Sequence, residues 1–547
     1  MIKQKKLLIL ILFFTFFFVG LFSYKDYGIN IEEKFQRTSG FYWLNYILSF
    51  TSFESLKANA LIKFNLIDKF MLPEINDNKF YGVIFDIPAA FIETVFNINS
   101  PIKYFQIRHI INYLIFFCSA IYFYKLLDER FLIKEVSLFG FLFYMLSPRI
   151  YGDSFHNNKD ILFLSLITIS FYYLFKSFKN NKIKNLILLS LFSAAATSTR
   201  IVGLFIPLLY FLFLVLLFID KKLSKKDFYK FIYFFIFFNI FLILLWPALW
   251  SSPYKNLFFF IQNSEKQLIH IKILFNGIYE STKYLPYYYI PLWITISTPI
   301  IYIILFFIAF FFLLKRLVLR FINIKKENHL ISLWKSNNEK IDLFIFFSLV
   351  VNYFFIILFN IPLYSGWRHV YFFNLFIIYL ASFGLYLLYI NPLLKNHKKI
   401  INISIALLIS FVSFRMIIYH PYQSLYFNSL LTKAFKNNFS VDFAALSRID
   451  ALKYIIENEK NNELIKIGVS SFTPLYRGLD MLDKKNKKII IVGQSYKDAD
   501  YIYNTNIYEI DPKYEDKYRI PKNFTLIKAK VIDEVVVYEI YKRSDLK

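Results

Sequence analysis

Two adjacent acids, Glu32 and Glu33, stand in the segment 26–37, shortly after the first apolar run of the chain. Carboxylates so placed could take a proton from a hydroxyl as a general base, or hold a metal; a solvated loop would carry them too. A denser polar segment, 147–160, contains Arg149, Asp153, His156, Asn158, Lys159 and Asp160. Asn157 or Asn158 could cap the helix that follows, with Asp160 complementing its dipole. Capping needs none of the three basic residues, and dense polarity at a membrane edge is costly unless it lines a cavity or binds something. Three further clusters share the same kind of position: Thr197–Arg200, the run 364–369 with Arg368 and His369, and the run 419–423 with His420. Arg108-His109 opens another apolar stretch, and Asp86 lies in the long segment before it.

The chain of 547 residues that must position these groups is 57% hydrophobic and 21% aromatic, with runs such as 7–22, 231–246 and 300–314 almost free of charge. Such runs approach the length that crosses a hydrocarbon core of roughly 30 Å. We read eleven spans, roughly 7–23, 109–125, 135–147, 160–177, 185–199, 201–218, 231–248, 293–314, 342–360, 370–390 and 400–418. The N-terminus has the shape of a signal peptide but no A-x-A-like cleavage site, so it reads as an uncleaved first span. Abundant Phe, Ile, Lys and Asn point to an AT-rich bacterial genome. The net charge of +26 sits in lysine clusters between apolar runs, where topology signals belong, rather than in a nucleic-acid-binding surface. The lone Cys118 excludes an intramolecular disulfide framework.

With the N-terminus inside, every second connection (126–134, 176–184, 221–230, 315–340 and 395–399) is rich in Lys or Arg, as positive-inside sorting requires. The short apolar segment 85–96, with Asp86, Pro88 and Glu93, would invert this pattern if it crossed, so it is read as re-entrant or interfacial. The other connections then face outward: 24–108, 148–159, 197–200, 248–289, 362–369 and everything beyond 420. The expected architecture is a polytopic α-helical membrane protein over 1–419, with a soluble α/β domain over 420–547 outside. In that domain a helix over 444–458 should precede strands near 464–469, 488–492, 501–503 and 531–541.

The candidate residues all fall on the outer side. Arg37, Arg108, Arg149, Arg200 and Arg368 lie there although positive-inside sorting should deplete them, whereas Lys dominates the inner loops. Guanidinium is the preferred group for bidentate phosphate recognition, which suggests an anionic head group at the membrane surface. His109, His156, His369 and His420 share that side and could serve as acid, base or ligand. No H-E-x-x-H or similar spacing occurs, so no cofactor is expected and a divalent metal has only weak support. Interfacial anchoring by aromatic and basic residues would account for any one cluster taken alone.

The segments 147–160, 197–200, 366–369 and 420–423, in this order, resemble those of bacterial family 39 glycosyltransferases. These are GT-C-type membrane enzymes related to protein O-mannosyltransferases and to the aminoarabinose transferase of lipid A. The resemblance runs over most of residues 1–430 and implies a polyprenyl-phosphate-linked sugar donor, an inverting transfer at the outer face of the cytoplasmic membrane, and contact with membrane lipid. In that family an Asp-Glu pair in the first outer loop supplies the essential carboxylate, and here Glu32-Glu33 occupies its place. The extra methylene could displace a base by about 1 Å, a shift that can cost on the order of 100-fold in rate. Asp86 and Asp160 are alternative acids; Asp160 resembles the acid of the family's second active-site motif, and Tyr81-Gly82 resembles its early loop. Inverting transfer needs a carboxylate base and cationic stabilisation of the leaving phosphate, so Glu32 or Glu33 is expected as the base and Arg149, Lys159, Arg200 and Arg368 as the phosphate cradle, with Asp160 orienting acceptor or cradle. The acceptor (lipid, glycan or protein) and the sugar stay open. A transporter or flippase predicts inverted repeats and mid-membrane charges, and neither is seen. A polysaccharide ligase or polymerase would also place Arg outside.

Overall fold

The computed structural model describes residues 2–69, 72, 79–180, 182–219, 223–263, 271–327, 333–459 and 464–544. Stretches of the expected connections 24–108, 176–184, 221–230, 248–289 and 315–340 therefore lie outside the described residues.

Each of the eleven expected spans is met by a helix, but among the described residues eight helices are long and apolar enough to cross a membrane: Pro101–Phe131, Asp160–Lys179, Ile201–Ile219, Lys225–Leu245, Ile300–Ile322, Asn337–Leu358, Phe373–Ile390 and Pro392–Ile418. Leu7–Ser23 and Ile183–Thr199 are apolar but shorter, and Lys134–Met145 has 12 residues. At 1.5 Å per residue, a 12-residue helix covers about 18 Å, well short of the core. The span expected over 293–314 is in fact two helices, Tyr289–Ser297 and Ile300–Glu327, because Pro299 between them cannot supply the helical N–H. Pro247 likewise follows the end of Lys225–Leu245. The segment 85–96 forms the ten-residue helix Asp86–Val95. Large apolar side chains such as Phe14, Leu208, Phe235, Phe311 and Leu407 point outward from these helices, an arrangement suited to lipid rather than water.

Ion pairs gather at the two ends of the bundle. The first group lies at the lysine-rich connections: Arg130 holds Asp342 by two bonds (2.8 and 2.7 Å), Arg316 adds a third (3.3 Å), and the Tyr379 hydroxyl donates to the same carboxylate (2.6 Å). Asp342 is fully buried. Removing one member of a buried pair leaves an uncompensated charge, at a cost of about 3–5 kcal/mol. Asp342→Ala is expected to lower thermal stability in detergent by that order, and Asp342→Asn by less; unchanged unfolding curves would contradict the assignment. The second group lies at the intervening connections and is the site described below.

Beyond Ile418 the chain forms a five-stranded sheet. The hairpin β1 (Lys272–Phe275) and β2 (Ile278–Ser281) comes first in the chain, between two spans. The sheet is built from β3 (Ile465–Val469), β4 (Ile490–Val492), β5 (Tyr501–Asn504), β6 (Phe524–Ile532) and β7 (Val535–Arg543), in the order β4-β3-β5-β7-β6. β3 pairs in parallel with β4 and β5, while β7 is antiparallel to β5 and β6. The helix Arg448–Asn458 precedes β3. The stretch 531–541 is not one strand: it turns at Asp533-Glu534, both in the left-handed region (φ 47° and 69°), as a two-residue hairpin loop requires. That turn pins the sheet to the bundle, because Asp533 accepts from Arg415 (2.5 Å), Tyr419 (2.6 Å) and Lys436 (2.7 Å). The β1–β2 hairpin laces into the same region, with Ser440 N–H donating to Leu274 O (3.1 Å) and Lys272 N–H to Glu509 O (2.9 Å).

Candidate functional site

Glu32 and Glu33 are adjacent but part company. Successive helical side chains diverge by about 100°, and Glu33 opens the helix Glu33–Leu48. Its carboxylate folds back to accept the Asn30 N–H (2.7 Å) and lies 3.1 Å from His109 Nε2, buried. The Asn30 side chain in turn accepts the Glu32 N–H (3.2 Å). With the turn fixed in this way, the Glu32 carboxylate points to the other side. There it accepts from Arg368 Nη2 at 2.6 Å while its side chain stays 30% exposed. Of the two candidate bases, Glu32 is the accessible one and Glu33 is spent on holding the turn.

Arg368 lies in a one-turn 3-10 helix that follows Ser365 and Gly366, both at positive φ (63° and 67°). Glycine tolerates that geometry and lets the chain reverse between two spans. The turn is fastened by the Tyr289 hydroxyl donating to Gly366 O (3.0 Å) and by Trp367 Nε1 donating to Ser297 Oγ (2.8 Å). Arg368 thereby reaches Glu32 on one side and Asp160 on the other, its Nε 3.4 Å from the Asp160 carboxylate. Arg200, at the end of the helix Ile183–Thr199, pairs with the second Asp160 oxygen. Asp160 starts its helix under a cap from Asn157, which accepts the Asp160 N–H (3.0 Å) and donates to Asp160 Oδ2 (2.9 Å) and Asp153 Oδ2 (3.2 Å). Asn157 thus caps this helix while Asp160, at its first turn, is flanked by two arginines.

Lys159 completes the cluster. Among the described residues its ammonium makes no ion pair or hydrogen bond; it sits 3.8 Å from the Tyr81 ring centroid. Tyr81 is brought there by Gly82, whose N–H donates to Ser198 O (2.6 Å) and whose Cβ, were there one, would meet that oxygen at 2.2 Å. Glu32, Asp160, Lys159, Arg200 and Arg368 thus come from four separate stretches of the chain, at or beside connections between helices, and meet at one end of the bundle.

The electrostatics follow from this crowding. Burial would raise the Glu32 pKa, but Arg368 and Lys159 outweigh it and hold the carboxyl at about 2. Burial lowers the Lys159 pKa, against the pull of Glu32. Burial, helped by Arg368, takes His369 down to about 3, so its ring is neutral; it packs edge-on against Tyr364 at 4.4 Å. Asp153 is pushed up to about 6 by burial.

Several expected site residues are placed elsewhere. Arg149 is not part of the cradle cluster: its Nε donates to Tyr426 O (3.1 Å), and its guanidinium packs on Trp293 (4.9 Å) and Phe427 (5.2 Å). Its buried Nη2 finds no hydrogen-bond partner among the described residues. Arg108 and Arg37 are consumed by carboxylates: Arg108 bonds Glu93 (3.0 Å) and Asp86 (3.1 Å), and Arg37 bonds Glu93 (2.8 Å). Asn158 donates to the same Asp86 (3.0 Å), so Asp86 is tied into this neighbouring network rather than open as a base. Glu93, fully buried between two arginines, stands out in the sequence only as a charge within the short apolar segment 85–96, which gives no sign of its partners. His156 bonds the Asn30 side chain (3.2 Å) and lies 3.7 Å from Asp153. His420 pairs with Asp26 (2.9 Å) and Gln423 (3.2 Å) at the rim, apart from Glu32.

The fold and site define a polytopic helical membrane protein with a cationic, carboxylate-bearing cluster at one end of its bundle. Residues 87–250 match the family model described as dolichyl-phosphate-mannose-protein mannosyltransferase. That stretch holds Asp160, Lys159 and Arg200, and the match accords with the resemblance carried by the motifs to GT-C-type glycosyltransferases. No curated protein sequence matches the chain. Among solved structures, ArnT from Cupriavidus metallidurans in the apo state aligns over 98% of each chain at 10% identity with a TM-score of 0.48. The same protein bound to undecaprenyl phosphate aligns over 98% of this chain and 97% of that one at 9% identity, with a TM-score of 0.45.

Proposed function

We propose that the protein is a membrane glycosyltransferase that moves a sugar from a polyprenyl-phosphate carrier to an acceptor hydroxyl at the outer face of the bacterial inner membrane, with inversion. The observation that carries this reading is the charge balance of the cluster. Three cations, Lys159, Arg200 and Arg368, face two carboxylates, Glu32 and Asp160, and the member without an ion pair among the described residues is Lys159. An excess of one positive charge suits a sugar phosphodiester, which carries one negative charge.

In this mechanism the donor phosphate enters beside Lys159 and draws Arg368 away from Glu32. Losing that partner raises the basicity of Glu32, which takes the proton of the acceptor hydroxyl. The acceptor oxygen attacks the anomeric carbon, and the bond from that carbon to the phosphate oxygen breaks, leaving its electrons on the phosphate. The phosphate gains one negative charge as Glu32 loses one, so the cluster stays in balance throughout. Arg and Lys supply the cationic stabilisation of the leaving group, and Asp160 keeps Arg200 and Arg368 in register. Glu93, Asp86, Arg37 and Arg108 form a neutral neighbouring network that stiffens the first outer loop.

The test is reconstitution of the purified chain with synthetic polyprenyl-phosphate hexoses and pentoses and with lipid, lipid-linked glycan and peptide acceptors. Transfer with release of polyprenyl phosphate, and a product anomer opposite to the donor's, is expected. Carrier moved between leaflets with no bond broken would point instead to a flippase, and transfer only of whole glycans to a ligase. Because charge stabilisation is assigned to Arg and Lys, excess chelator is expected to leave the transfer rate unchanged; a loss restored by a divalent cation would overturn that part.

A further inference from the structure

The loop that presents Glu32 is gripped from outside the bundle. Ile31 N–H donates to Ala444 O (3.1 Å). Arg448 Nη2 donates to Ile29 O (2.5 Å), and Arg477 Nη1 donates to Ile31 O (2.6 Å). Three bonds from residues beyond 440 therefore fix the peptide groups on both sides of Asn30, the residue that sets the turn into Glu32. The grip is itself rigid. Arg448 is 1% exposed, and its remaining nitrogens donate to Ala445 O (2.7 Å) and Pro474 O (3.2 Å). Asp442, which accepts the N–H groups of Leu446 (2.8 Å) and Ser447 (3.1 Å), holds the turn that offers Ala444 O. The two backbones approach so closely that a Cβ on Gly28 would lie 2.7 Å from Leu446 O. Ile29 packs with Phe105 and Ile449, and Lys34 pairs with Asp480 at 3.4 Å.

Burying an arginine against backbone carbonyls has a desolvation cost that neutral packing would avoid. Here all three donor nitrogens of Arg448 meet peptide oxygens and Arg477 reaches the Ile31 oxygen, so what they act on is the orientation of a backbone segment. We propose that the C-terminal sheet segment is a positioning device for the base, with Arg448 and Arg477 as positioning residues that aim the Glu32 carboxylate at Arg368. This rests on the reading of Glu32 as the base. Each arginine holds a peptide oxygen of residues 29–31 and so acts through the loop.

The experiment uses the full chain in lipid nanodiscs, with Arg477 chosen because Arg448 is too buried to remove safely. Arg477→Ala is expected to lower kcat for transfer from a polyprenyl-phosphate sugar about tenfold, within the range that small misplacement produces, with KM for the donor unchanged. Backbone amides of residues 28–34 should exchange hydrogen faster while those of the spans and of β3, β5 and β7 stay as they were. Arg477→Lys, which keeps one donor, should recover part of both effects. Unchanged kcat with unchanged exchange overturns the proposal. So does a loss of activity accompanied by a general fall in thermal stability and a raised donor KM, the mark of a merely structural role. Glu32→Gln measured alongside separates the two readings. If Glu32→Gln transfers normally while Arg477→Ala frees the loop, the base assignment fails and the grip stands. If Glu32→Gln is inactive and Arg477→Ala fully active, the positioning role fails alone.

Discussion

Glu32→Gln is expected to lower kcat for sugar transfer by about 10³-fold, inside the range of roughly 10²–10⁴ that a positioned general base contributes. The amide can still accept from Arg368 but cannot take a proton from the acceptor. Binding of polyprenyl phosphate should survive or tighten, because one negative charge is gone and the three cations stay. This split separates a catalytic loss from a collapsed site, and direct binding of undecaprenyl phosphate measures it. Glu32→Asp is the sharper companion. Arg368 meets the carboxylate of the longer side chain at 2.6 Å, so shortening it draws the acid out of reach and should cost on the order of 10–100-fold. Wild-type transfer by Glu32→Gln would sink the assignment, and a gain of activity in Glu32→Asp would show the glutamate to be a misfit. Glu33→Gln, by contrast, weakens a buried contact to His109 and Asn30; its first effect should be on stability.

That these residues share one end of the bundle was legible in the sequence, since lysine-rich connections alternate with those that carry or adjoin Asp160, Arg200 and Arg368. Hydropathy and charge repeat along the chain and need no long-range information. The choice between Glu32 and Glu33 was not legible: neighbours of the same type are distinguished only by His109, from a later helix, and by the direction of the turn at Asn30. Arg149 shows the converse failure. It shares the segment and chemistry of Lys159 and Asp160, yet Trp293 and Phe427, distant in sequence, enclose it. Glu93 pairs with Arg37 and Arg108 across turns that no periodicity fixes. In the sheet, Asp533-Glu534 is not the Asn-Gly or Asp-Gly pair that announces a tight hairpin, and two strands read as one. The hold of Arg448 and Arg477 on residues 29–31 was the least visible feature. It joins side chains to backbone across more than half the chain, and a backbone acceptor leaves no trace in residue type.

Arg368→Met carries the other large expected effect, because this side chain serves two carboxylates at once. Without it Glu32 and Asp160 face only Lys159 and Arg200, the excess positive charge disappears, and the phosphodiester loses a principal partner. A loss of kcat/KM of about 10³-fold is expected, comparable with removal of a donor aimed at developing charge. Arg368→Lys should lose less than Met but more than a conservative exchange suggests, since an ammonium cannot present the planar fork that spans Glu32 and Asp160. The pH profile gives a second, independent reading. In the wild type, burial tends to raise the Glu32 pKa, but Arg368 and Lys159 hold it at about 2. The free-enzyme base is then ionised throughout the range in which a membrane enzyme can be assayed, and kcat/KM, which reports free-enzyme groups, shows no acid limb from Glu32. Removing Arg368 leaves the burial and takes away the chief opposing charge, so the pKa rises. Protonation then disables the base as pH falls, and an acid limb should enter the accessible range at or above the ordinary glutamate value of about 4.3. A residual activity in Arg368→Met that is flat with pH would show that Glu32 is not the group whose ionisation the reaction needs, even if the loss in rate were as large as expected.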